Sequence, residues 1–180
     1  MRYLSFFKLI PLMLLCSVSV TAAQDTRLPS VVLKGEDGGM ATGEEWSSTN
    51  LTGKIKLILY VDTGKKQAAM PLIMKIDSLS YSPDALGTYF IVNTSATAIP
   101  RFMIRMMISQ RQKANNKIQY VLDNNRLLIK EWNFTDENMN VLVLDPSGEV
   151  LHRHAGEITQ EYIDKLISII DHALSIEQQK

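Results

Sequence analysis

The apolar positions along the chain change period several times, and each change marks an element. Ile55-Lys56-Leu57-Ile58-Leu59-Tyr60-Val61 is nearly continuous in apolar residues, the pattern of a strand buried on both faces. Ala69, Leu72, Ile73, Ile76 and Leu79 then recur at helical spacing and predict a helix from about Lys66 to Ser80, with Pro71 in its early turns. Thr88 to Val92 predicts the next strand, ending at Asn93-Thr94, and Pro100 opens a second helix from Arg101 to about Lys113. Ile118 to Leu122 is a third strand, and Leu127 to Trp132 a helical or irregular piece. Asn140 to Leu144 and Glu149 to His154 flank the turn Asp145-Pro146-Ser147-Gly148 as a hairpin. A last helix follows Thr159, its expected cap, with Tyr162, Ile163, Leu166, Ile169, Ile170 and Ala173 on one face. Ahead of all this, Val31-Val32-Leu33 is a short strand, Gly35 to Gly39 a turn cluster, and Met40 to Trp46 a second short strand or loop. Strands that alternate with helices imply an α/β sandwich with a partly parallel central sheet, closed by an antiparallel hairpin.

The first residues follow another logic. Arg2 and Lys8 flank a basic start, Leu9 to Val20 is apolar but interrupted by Pro11, and small residues through Ala23 precede Gln24-Asp25. This is the pattern of a secretory signal peptide, residues 1–23, with cleavage expected after Ala23 and a single domain over 24–180. The apolar run is short for a bilayer span, and no second one follows, so no membrane span is expected after cleavage. The one cysteine of the chain, Cys16, lies inside this segment. Bulky Leu15 before it speaks against lipid attachment. Cleavage would leave no cysteine, and with it no disulfide, thiol catalysis or cysteine–metal ligation.

The chain has 19 basic and 19 acidic residues; without Arg2 and Lys8 the balance is 17 against 19. Such a balance argues against broad nucleic-acid or membrane-surface binding.

Three stretches carry a resemblance to known proteins. "LPSVVLKGEDGG…NLTGKIKLILYV", "YVLDNNRLLIKEWNF" and "VLVLDPSGEVLHRHAGEI" together resemble the thioredoxin-like fold, in its exported branch of thiol-disulfide oxidoreductases and peroxiredoxins. "EWSSTNLTGKIKL", "IVNTSATAIP" and "EWNFTDENMNVLVLDPSGEV", in that order, are similar to the YtfJ-like family of small periplasmic proteins. That resemblance implies a thioredoxin-like three-layer sandwich with a mixed central sheet and an N-terminal hairpin extension. It also implies the periplasm of a Gram-negative bacterium, and no established activity. The departures are as informative. Where thioredoxins carry Cys-x-x-Cys, this chain has Thr63-Gly64-Lys65-Lys66, and the characteristic cis-proline would fall at Met139 or Asn140.

The candidate site is therefore a binding crevice at the strand ends. It would be built from Asp62, Thr63, Gly64, Lys65, Lys66, Asn93, Thr94, Trp132, Met139 and Asn140. Gly64 and two lysines at a helix start suit an anion, whereas Asp62 opposes one and would serve as a helix cap. Thr63 has no histidine nearby in sequence to activate it. Trp132 reads first as a partly buried core aromatic. His152 and His154, two apart on a strand, share a face and are weak metal candidates; spacing gives no third ligand, though His172 or Glu157 could approach in space, and the plainer reading is a solvent-facing strand. Met103, Met106 and Met107 give the second helix a soft apolar surface that predicts burial in the core, with Arg101, Arg105 and Arg111 on its solvated side. No cofactor is implied. The expectation is a non-catalytic module for a periplasmic protein or peptide. The alternatives are an enzyme or metal- or anion-binding protein using non-thiol residues, and an accessory partner of an exported thiol-disulfide system.

Overall fold

The computed structural model describes residues 27–179 except Ala96, with the backbone alone at Lys66. The expected signal segment and Cys16 lie outside the described residues.

The elements run β1 (Val32–Leu33), β2 (Gly38–Met40), β3 (Trp46–Ser47), β4 (Ile55–Asp62), α1 (Lys66–Leu79), β5 (Leu86–Asn93), α2 (Arg101–Ala114), β6 (Ile118–Asp123), α3 (Leu127–Glu131), β7 (Asn140–Leu144), β8 (Val150–Ala155) and α4 (Gln160–Glu177). One six-stranded sheet has the order β2-β6-β5-β4-β7-β8. Strands β4, β5 and β6 are mutually parallel, while β2, β7 and β8 pair antiparallel to their neighbours. β1 and β3 form a separate pair.

Strand β4 is buried along its whole length, as its continuous apolar run requires. Its residues alternate between two cores. Ile55, Leu57, Leu59 and Val61 face Ala69, Leu72 and Ile76 of α1, Ile104 of α2, and Ile163, Leu166 and Ile170 of α4. Ile58 and Tyr60 face the other way, toward Leu33, Trp46, Leu128, Trp132 and Phe134. Three helices thus cover one face, and α3 with the N-terminal segments covers the other. Buried Lys56 near the start of β4 fits because Gly87 opposite has no Cβ; one there would approach the Lys56 Cδ to 2.9 Å.

The expected turn cluster divides. Gly35–Asp37 is a short 3-10 turn, but Gly38 and Gly39 belong to edge strand β2. Gly38 has φ 128°, and a Cβ there would stand 1.9 Å from the Leu122 carbonyl oxygen of β6. Only glycine lets β2 approach β6 in that conformation. Leu79, expected inside, is exposed at the last turn of α1. Helix α1 continues through exposed Pro71, which has no N–H to give to the carbonyl four residues back. Thr159 caps α4 as expected, accepting from the Tyr162 N–H at 3.1 Å.

Candidate functional site

Parallel strands β4, β5 and β6 end in one row: Asp62 pairs in register with Asn93, and Asn93 with Asp123. Strand alternation aims all three toward the α3 face, the side of Tyr60 and Val121. There they are tied to one another and to the loops. The Asn93 Nδ2 donates to the Asp62 carboxylate at 2.6 Å, and the Thr63 hydroxyl donates to the Asn93 carbonyl at 2.7 Å. The Asn93 Oδ1 accepts from the N–H and the hydroxyl of Ser95. Ser95 in turn accepts from the Arg126 Nε at 2.7 Å, and Arg126 pairs with Asp136 at 2.8 Å. The Lys65 amine donates to the Glu137 carbonyl. Thr94 donates to the Asn124 Oδ1 at 2.6 Å, and Asn124 reaches the Glu36 carbonyl.

Asp123 is fully buried and accepts four bonds, from the N–H groups of Asn125, Leu127 and Leu128 and from the Tyr60 hydroxyl at 3.2 Å. It anchors the start of α3, where Arg126 takes a left-handed backbone at φ 56°. Burial first, then the Asp123 charge, pushes the Tyr60 hydroxyl pKa well up.

This geometry corrects several expectations. Asp62 does not cap α1: the capping position is Lys65, which makes no side-chain cap bond, because the Asp62 carboxylate is turned to Asn93. The Asn93, Thr94 and Asn140 side chains are buried with Asp62, so they hold loops and present no crevice wall. Asn140 exchanges bonds with the Thr135 backbone, at 2.9 Å from each of its two side-chain ends. Met139 is buried in the α1–α4 core. Trp132 is 2 % exposed, donates its Nε1 to the Pro29 carbonyl at 2.8 Å, and packs edge-on to Phe134 and Trp46. Half-buried Thr63 and exposed Gly64 and Lys65 keep access to solvent. No cis peptide bond occurs among the described residues, Met139 and Asn140 included.

His152 and His154 do share a face, but it is covered by α4. The His154 ring stacks on Tyr162 with centroids 3.8 Å apart, and its Nε2 donates to the Glu157 carbonyl. The His152 Nε2 lies 3.2 Å from the Tyr162 hydroxyl. Burial, then Lys165 and His154, holds the His152 pKa below its ordinary value. Among the described residues no group of three or more His, Cys, Asp or Glu is placed to hold a metal ion.

The surface that the sequence misjudged is α2. Ile104 is its buried residue, while Phe102 is 71 % exposed, Met106 54 %, and Met103 and Met107 nearly half. Gln112 clips the helix to β6, donating to the Ile118 carbonyl and accepting from the Tyr120 N–H. The Arg101 guanidinium is likewise engaged, donating to the Glu36 and Asn124 carbonyls. Held over β6, α2 leaves an open cleft of about 90 Å³ between itself and α1. Phe90 and Tyr120 form its floor, their rings 5.7 Å apart, and Met70, Ile73, Met107 and Arg111 its walls, with Thr63 at one side. Burial raises the Tyr120 hydroxyl pKa, and the nearby Arg111 charge opposes the rise. The signal was present in the sequence. Apolar residues at 102, 103, 104, 106, 107 and 108 occupy more of the helix circumference than one sheet-facing stripe can bury.

Residues 24–173 match the family described as "Bacterial protein of unknown function (YtfJ_HI0045)". The chain belongs to this family. The Escherichia coli strain K12 relative, "Uncharacterized protein YtfJ", is 28 % identical over 133 residues, 72 % of each chain. A Haemophilus influenzae relative is 22 % identical over 156 residues, 85 % of this chain and 83 % of its own. Among solved structures, the exposed lipoprotein thioredoxin of Streptococcus pneumoniae superposes with a TM-score of 0.57 at 11 % identity, over 80 % of this chain and 99 % of that one. The fold of this YtfJ-family chain is thus thioredoxin-like. Thr63-Gly64-Lys65-Lys66 stands at its β4–α1 junction, and Cys16, the sole cysteine, cannot form a pair within the chain.

Proposed function

We propose that the chain is an exported, periplasmic thioredoxin-like module that binds a protein or peptide without thiol chemistry, and that it does so through the α1–α2 cleft. One observation carries the reading: an open, largely apolar cleft walled by Met107 of α2, the helix that also exposes Phe102, Met103 and Met106. Exposed apolar side chains gathered on one helix beside a cleft mark interaction sites, and methionine walls adapt to varied shapes. The strand-end polar residues support the reading by their engagement, since their donors and acceptors are spent on one another. The apolar segment Leu9 to Val20 followed by Ala22-Ala23 supports export.

A photo-crosslinking residue at Met107 tests this in cells. Adducts are expected from Met107, lost when Met103→Lys is added, and absent from a control at Ser175 on α4. Adducts from Asn125 or Asp136 with none from Met107 would return the site to the strand ends.

A further inference from the structure

Resting on the reading of the cleft as a binding site, we infer that its occupant is an apolar side chain from a peptide segment flanked by acidic residues. The size comes from the cleft: at about 90 Å³ it is smaller than the roughly 150 Å³ cavity that admits benzene, and suits one aliphatic or methionine side chain. The floor of Phe90 and Tyr120 closes it against the sheet, so the occupant must insert from above, between the helices.

The charge comes from the surroundings. Between Asp84 and Asp123 the chain has no carboxylate, but it carries Arg101, Arg105, Arg111, Lys113 and Lys117. Arg101 is committed to backbone carbonyls of the β2 and β6 ends. Arg111 lines the cleft itself, and among the described residues the ion pairs are Arg27–Glu149 and Arg126–Asp136, neither of them here. Asp77 of α1, whose charge reaches Tyr120 of the cleft floor, is engaged by the Asn115 amide at 3.3 Å. A free cation beside an apolar hole selects a partner that brings both an anchor and negative charge. The same cations disfavour a second copy, because two α2 helices face to face would oppose like charges. A bilayer would cover Phe102 and Met106 but leave the concave cleft unfilled.

Fluorescence anisotropy on the purified protein tests this with three labelled peptides sharing a Leu-Met-Leu centre, flanked by glutamates, glutamines or lysines. The glutamate peptide is expected to bind about tenfold or more tighter than the lysine peptide, with the gap narrowing as salt screens it. Arg111→Glu combined with Lys113→Glu should invert the order, and Met107→Lys should abolish binding. Equal affinities for all three peptides, each lost in Met107→Lys, would overturn the acidic preference and leave the cleft intact as a site. Affinities unmoved by Met107→Lys would overturn the cleft reading itself. Binding of no peptide overturns the inference. So does cosedimentation with phosphatidylglycerol vesicles that competes with the peptide, or a dimer in sedimentation that Met106→Lys dissolves.

Discussion

The strand-end row is scaffold, and Asp123 is where that assignment is most exposed to test. In Asp123→Asn the retained amide oxygen can still accept from Asn125 and Leu127, but as a neutral group. The new amide nitrogen then faces the Leu128 N–H, donor against donor. The Tyr60 hydroxyl is free to rotate and accept from the amide, so that contact survives in reversed sense. Two charge-assisted bonds reduced to neutral ones cost about 0.5–1 kcal/mol each, and a stranded N–H beneath α3 about 1–2, which gives about 3 kcal/mol. With a urea slope of about 2 kcal/mol/M the unfolding midpoint falls by about 1.5 M, and Tm by about 6–12 °C. Both tryptophans, Trp46 and Trp132, are buried in the core beside this row, so their fluorescence reports the transition. Tyr60→Phe should cost less beside Asp123→Asn than in the wild type, since the bond it removes there is neutral and no longer charge-assisted. A midpoint shift below about 0.3 M, or loss of peptide affinity at unchanged stability, would refute the scaffold argument.

Gly38→Ala should destabilise strongly, by about 3 kcal/mol or more, because both φ 128° and the Leu122 carbonyl forbid the methyl; a thermal midpoint equal to wild type would contradict the packing of β2. The His152 pKa is lowered by burial, so below about pH 6.5 the unfolded chain binds more protons than the folded one and stability falls with pH. His152→Gln should flatten that slope between pH 7.5 and 5.5 in melting curves, and an unchanged slope would reject the burial argument. Thiol titration of the denatured exported protein should read zero, and insulin reduction should not exceed background; one thiol per chain would mean that Cys16 is retained. Edman sequencing of the exported protein should begin at Gln24, and Met1 there would reject cleavage.

What the sequence made legible was local. The run from Ile55 to Val61 and the stripe of α4 each dictate an element through their own period, so the sheet, the helices and their order could be read directly. The parity of the strand ends is equally local. Yet whether Asp62, Asn93 and Asp123 meet solvent depends on the residues 124–139 that fold back over them, and no spacing announces that. Trp132 is buried by Pro29, about a hundred residues earlier, a contact that only the assembled chain defines. The methionines failed for the opposite reason. Their spacing satisfies helical burial, but one helix over the β6 side of the sheet has room to bury only part of its apolar circumference.

The mixed direction of the sheet also governs how the chain can mature. β4 lies between β5, which follows it after one helix, and β7, which arrives only after two further helices and β6. A chain that emerges N-terminus first can close the parallel side of β4 early. Its other edge, with Leu57 and Leu59 ready to pair, stays open until Val141 and Val143 emerge. During that interval the strand with the longest unbroken apolar run, Leu57 to Val61, is a half-finished ladder, the form in which strands recruit one another. The β7–β8 hairpin is thus the step that takes the molecule out of danger of aggregation, and its tight Asp145–Gly148 turn lets that step follow quickly once those residues are free.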